Sequence, residues 1–234
     1  RFGSTSAPAA LARRARKVPA LQTLRGIFLR TGRMASKVES VLREFKAVSP
    51  IACLAEYSAM ALFVVFGCGS AMGIDGSRSD GVSSPLPGWV LMVALAFGLT
   101  IAALAYAVGH HSGGHINCAV TLGLCLVGKC GCMQGLANFA AQMLGSVTGA
   151  VLLCLLYPET MDKTSSLGSN GVGEGWAWHN ALAGEVLGTF LLVTVVLQTT
   201  CCPKSSANRA QADAPGSSQE PALLVGLAGF VAHV

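Results

Sequence analysis

The sequence predicts an all-α membrane protein, a bundle of long apolar helices with one helix too short to cross a bilayer. Three observations carry this. Of 234 residues, 52% are hydrophobic and only 12% charged, about half the charge of a soluble domain. Eleven of the sixteen Lys and Arg residues lie in residues 1–50, against only Glu39 and Glu44 there. Beyond Ile51 the charges, Glu56 and Glu185 apart, are confined to short breaks between apolar runs long enough to span, which takes roughly twenty residues as helix.

The elements follow in chain order. Residues 1–49 form a basic tail. Its first 38 residues carry nine Lys and Arg and no acid, a composition shared by organelle transit peptides and by translated upstream sequence. Met34 is the start expected in the second case, which we favour. Val38, Val41, Leu42 and Phe45 follow an i, i+3, i+4, i+7 pattern, so 36–47 reads as an amphipathic helix on a membrane surface. Residues 50–234 form the membrane domain, with spans expected at about 51–74, 88–108, 136–157, 177–197 and 221–234. The last is cut off after fourteen residues. Residues 118–127 are too few to cross and read as a re-entrant half-helix. The tail, Lys129 and the 198–219 loop hold fourteen basic residues, against Arg78 and Lys163 in the alternate loops. The N-terminus is therefore expected in the cytoplasm, with the half-helix entering from that side.

Nine cysteines invite a disulfide or metal reading. Cys53, Cys68, Cys125 and Cys154 lie within apolar runs, where cysteine acts as a small hydrophobe. Cys130-Gly-Cys132 and Cys201-Cys202 lack zinc-site spacing. His110 and His111 could join His115 and Cys118 around a metal, but no carboxylate or cysteine pair completes the set. We expect no metal and no cofactor. Nothing in the chain resembles a nucleophile constellation or a catalytic carboxylate pair, and we expect no enzyme activity and no nucleic-acid partner.

The stretch HSGGHINCAVT, residues 111–121, is polar between greasy neighbours. Irregular backbone survives at membrane depth only where protein covers it or where it lines a wet cavity. Gly113 and Gly114 permit such backbone. Asn117 precedes an apolar decapeptide, where it can cap a helix and offer amide donors to whatever lies in front. A half-helix starting there points its positive end into the cavity. Together these suit a neutral, hydrogen-bonding solute and repel cations.

The longer segment GHHSGGHINCAVTLG resembles the first signature of the aquaporin (major intrinsic protein) family, SGxHxNPAVT, with Cys118 in place of the usual proline. LAFGLTIAALAYAVGH, NFAAQMLGSVTGAVLL, LAGEVLGTFLLVTVV and PALLVGLAGFVAHV are similar to that family's second to fifth helices, so the resemblance covers residues 51–234. It implies an inverted-repeat bundle with a re-entrant half-helix, five of six spans being present. Glu56 and Glu185 would be the paired braces of the two pore loops. Glu56 lies 61 residues before Asn117, so Glu185 places a second asparagine near position 246, beyond Val234. The chain is accordingly read as a piece of a longer protein that also holds a second motif, a filter arginine and a sixth span.

The resemblance also assigns a pore. Asn117, Cys118 and Ala119 would form the constriction, and Phe97 with His233 part of the selectivity filter in the water-selective pattern. Carbonyls of Gly113, Gly114, His115 and Ile116 would line the path, with Ile101 and Val120 as apolar wall. Proline is pre-organised at a first helical position, so Cys118 should loosen the turn, and its thiol is expected to face the pore. Gly145 and Gly149, spaced as GxxxG, should let helices approach closely. The expected function is passive water transport down an osmotic gradient. The alternatives are broader passage of glycerol, ammonia or peroxide, and a non-conducting scaffold if the natural chain ends at 234. Expected partners are water, other small neutral solutes, the lipid bilayer and three further copies in a homotetramer. The expected location is an integral, multi-pass site in the plasma membrane or vacuole, ahead of an organelle.

Overall fold

The computed structural model describes residues 36–76, 88–162, 164, 166–173, 175–202 and 225–229. Residues 36–46 form α1, in a unit of its own that ends at Ala47. Its apolar stripe of Val38, Val41, Leu42 and Phe45 is exposed. The membrane unit begins at Val48 and contains α2 (Pro50–Gly76), α3 (Trp89–Ser112), α4 (Cys118–Leu126), α5 (Cys132–Leu156) and α6 (Trp178–Val196). A short 3-10 turn, Glu159–Met161, and a π turn, Leu197–Cys201, complete it, and 225–229 is helical. Four helices are long and apolar enough to cross a membrane. The expected fifth span, 221–234, lies mostly outside the described residues.

Local chemistry sets the ends. Ser49 caps α2 by accepting the Ala52 amide at 3.2 Å, and Pro50 fills a first position that needs no N–H donor. The second span runs four residues beyond the expected 108, because the polar Gly109–Ser112 turn keeps its helical bonds. It stops at Gly113, whose φ of 86° suits glycine and whose N–H returns to the Gly109 carbonyl at 2.9 Å. The third span starts at Cys132 rather than at the expected 136. Its added turn carries Gln134, whose side-chain oxygen accepts the Ser49 amide at 2.7 Å. The nine residues of α4 measure about 13 Å, under half the hydrocarbon thickness. At the end of α6, Thr199 and Thr200 hydroxyls donate to the Val195 and Val196 carbonyls, both at 2.7 Å, as the helix widens to π.

The tightest packing joins α2 to α5. A Cβ on Gly149 would sit 2.6 Å from the Ala61 carbonyl oxygen, and one on Gly145 would strike the Tyr57 carbonyl. The expected close approach through this pair is therefore met by backbone itself, and Tyr57 and Thr148 hydroxyls bond across it at 3.0 Å. Phe63 of α2 meets Phe97 of α3 edge to face at 5.5 Å. In contrast, Val196 alone is buried on α6.

Candidate functional site

The site is built around the loop 113–117. Gly113 and Gly114 take φ of 86° and 63°, and Ile116 takes 43°, a left-handed conformation costly for a β-branched residue. The Glu56 carboxylate holds it there. Fully buried on α2, it accepts the His115 amide at 2.9 Å and the Ile116 amide at 2.7 Å. It also accepts the Ser112 hydroxyl at 2.6 Å and the Gln142 side-chain amide at 2.7 Å. These four donors offset the cost of removing a carboxylate from water.

Asn117 then turns the chain into α4. Its side-chain oxygen accepts the Ala119 and Val120 amides at 2.8 and 3.3 Å, while its own carbonyl takes the Thr121 hydroxyl at 3.0 Å. Thr121 also meets His115 Nδ1 at 3.1 Å and accepts Gln142 Nε2 at 2.9 Å, so loop, half-helix and α5 share one buried network. Among the described residues, nothing accepts from the Asn117 amide nitrogen, and the carbonyls of Gly113, Gly114, His115 and Ile116 receive no hydrogen bond.

Asn117 lines a cavity of about 230 Å³ with Phe97, Ile101, His115, Ile116 and Val120. Glu185 lines it too, and so do Phe63, Asn170, Gly188 and Thr189, which sequence reasoning missed. Phe63 had a readable signal in its helical register with Ala59 and Met60, which pack in the same core cluster. Asn170 comes from an irregular loop and had none. Glu185 is exposed, and among the described residues its one hydrogen-bond partner is Asn170 at 3.4 Å. His233 lies outside the described residues.

A helix of long apolar segments could serve many proteins; a glutamate-braced loop feeding a capped half-helix is far more restrictive. The profile of the family described as "Major intrinsic protein" matches residues 44–232. The chain belongs to the major intrinsic protein family. It is 36% identical to Aquaporin-1 of Mus musculus over 183 residues and 36% identical to Aquaporin-1 of Homo sapiens over 187, covering 78% of this chain and 63% of each relative. Against Aquaporin-1 of Ovis aries it is 38% identical over 149 residues, 64% of this chain and 54% of the relative. The chain thus spans under two thirds of the length of these relatives. Family membership and the four apolar helices make it an integral, multi-pass membrane protein.

Cys118 and Ala119 lie off the Asn117 cavity. The Cys118 thiol turns away from the Asn117 cavity, toward Met143 Sδ at 4.0 Å, and lines a separate groove between α4 and α5. The reason is helical geometry: the first residue of α4 points to the face opposite Val120, and α5 lies on that face. Cys118 and Ala119 are both half-buried, but neither lines the cavity. The His110 and His111 rings meet at a 43° tilt with centroids 3.8 Å apart, and the described residues hold no cluster of three or more metal-ligating groups. Outside the spans, burial and then neighbouring Cys125 push the Cys130 thiol up to about 11, so it is protonated at neutral pH and a poor nucleophile.

Proposed function

We propose that the chain is part of a channel that passes water down an osmotic gradient. The observation that carries this reading is the uncommitted polarity around Asn117. The oxygen of its side chain is occupied by the half-helix, which leaves the amide nitrogen as a donor at the cavity, beside His115 and Ile116, whose carbonyls receive no hydrogen bond among the described residues; Gly113 and Gly114 do not line the cavity. Water in single file needs this pairing of donor and acceptors, because it gives up its bulk neighbours on entry. The N-terminal end of α4 faces the same cavity, and its partial positive charge opposes cations. Phe97 and Phe63 supply an apolar, bulky wall, and Ile101 and Val120 extend it, so the solute keeps few competing partners. Cys118 and Ala119 support the constriction through α4 rather than through their side chains. In this reading the N-terminus is cytoplasmic, as loop charge directs, and the protein works as a homotetramer with one pore per chain. His233 would complete the filter with Phe97.

The test is stopped-flow osmotic response of proteoliposomes carrying the full-length protein, with water-driven and glycerol-driven gradients. Fast water flow of low activation energy without glycerol uptake is the expected result. Glycerol uptake would replace the reading with a broader neutral-solute channel. No flow above protein-free vesicles would leave a membrane scaffold.

A further inference from the structure

The interface between α2 and α5 contains a line of amides that runs in one direction. The Ser49 backbone N–H donates to Gln134 Oε1 at 2.7 Å, and Gln134 Nε2 donates to Asn138 Oδ1 at 2.7 Å. Further along, Gln142 Nε2 donates to the Glu56 carboxylate at 2.7 Å. Gln134, Asn138 and Gln142 are spaced by four, so they stack on one face of α5. Two atoms interrupt the line. Asn138 Nδ2 and Gln142 Oε1 are buried, on residues only 1% and 0% exposed, and neither has a partner among the described residues.

Their roles cannot be exchanged by flipping amides. At one end a backbone N–H requires an oxygen from Gln134, and at the other a carboxylate requires a nitrogen from Gln142. Asn138 Oδ1 is held in the same sense, because it faces the nitrogen of Gln134. The gap therefore has one donor on one side and one acceptor on the other. Four residues of helix rise about 6 Å, close to the span of two hydrogen bonds through one oxygen, at about 2.9 Å each.

We propose that one buried water molecule occupies this gap, accepting from Asn138 Nδ2 and donating to Gln142 Oε1. A metal cation would meet the Asn138 donor, and an anion would meet the Gln142 oxygen, so the site selects a small neutral group that accepts and donates at once. With the water in place, an unbroken line of hydrogen bonds connects Ser49, at the start of α2, to Glu56 and hence to the loop at His115 and Ile116. Asn138 is then a positioning residue for Gln142. Buried polar groups that are otherwise unpaired are the usual partners of such internal water.

Nuclear magnetic resonance of the full-length protein in nanodiscs, with ¹⁵N-labelled asparagine, tests this directly. The expected result is a cross-peak between the Asn138 side-chain amide protons and a long-lived water. Absence of that cross-peak, or a direct contact of the Asn138 amide with Gln142, would overturn the proposal. Substitution gives an independent readout. Asn138→Leu conserves bulk but removes the donor and excludes water, whereas Asn138→Ser keeps a hydroxyl and leaves room for water. The melting temperature of N138L is expected below that of N138S. If Asn138 merely fills space over a dry gap, the order reverses, with N138L at or above the wild-type value.

Discussion

Glu56 and Glu185 are the same side chain on two apolar helices, 129 residues apart, in opposite circumstances. Glu56 is fully buried and accepts from four donors, two of them backbone amides of an irregular loop. Glu185 is exposed beside the cavity and, among the described residues, has a single long bond to Asn170. The difference shows what a carboxylate in a membrane helix needs in order to act as a brace. It becomes one when a loop delivers N–H groups that have no other acceptor, and then carboxylate and loop hold each other. The helices around them differ in the same way: α5 meets α2 backbone to backbone, while most of α6 is open.

The largest expected effect separates the two carboxylates. Glu56→Ala strands two loop amides, the Ser112 hydroxyl and the Gln142 amide, and should cost on the order of 3–5 kcal/mol. Glu185→Ala in this chain should change stability by about 0.5 kcal/mol or less. Thermal unfolding of both variants in one detergent checks this, and equal shifts would break the comparison. Next come the glycines. Gly145→Leu forces a side chain against the Tyr57 carbonyl and should cost about 1–3 kcal/mol, read from the same melts. Gly184→Ala, with nothing within 4 Å of the added Cβ, should be neutral or stabilise by up to about 1 kcal/mol through helix propensity.

A smaller stability effect belongs to Asn117. Asn117→Ala removes the cap of α4 at a cost of about 1 kcal/mol and also the free amide donor, so water permeability should fall further than the melting temperature suggests. Asn117→Asp keeps the cap but replaces the donor. Permeability of N117D near that of the alanine variant would assign the loss to the donor, and wild-type flow would assign it to the cap. The smallest effect is expected at Cys118. Its thiol faces α5, so mercurial block of water flow in proteoliposomes should be unchanged in Cys118→Ser. Resistance of that variant would return the thiol to the pore.

The half of the site that rests on backbone chemistry was legible in the sequence. Paired glycines before an asparagine and an apolar decapeptide imply an irregular loop and a capped half-helix, and Asn117 caps it through two amides. Glu56 stood out because a carboxylate in an apolar run needs partners. The identity of those partners was not legible, since Ser112, Thr121 and Gln142 are polar residues of kinds that helices also turn toward their own carbonyls or solvent. One signal was available and unused: Gln134, Asn138 and Gln142 recur every four residues in an otherwise apolar span, a polar stripe that must face protein. The direction of the Cys118 thiol was not legible, because a motif reports where the backbone goes. Which face the first helical side chain takes depends on the neighbour, here α5.

The span of the Glu56 contacts has a consequence in time. Its last donor, Gln142, lies 86 residues downstream, and chains are synthesised at about 5–20 residues per second. For about 4–17 s after Glu56 leaves the ribosome, therefore, the first span exists without the amide that completes the hydrogen bonding of its carboxylate. Through that interval the carboxylate can find its missing donor only in water, at the edge of the insertion machinery. The first helix is thus synthesised before it can settle, and its final depth in the bilayer waits for the third span to arrive.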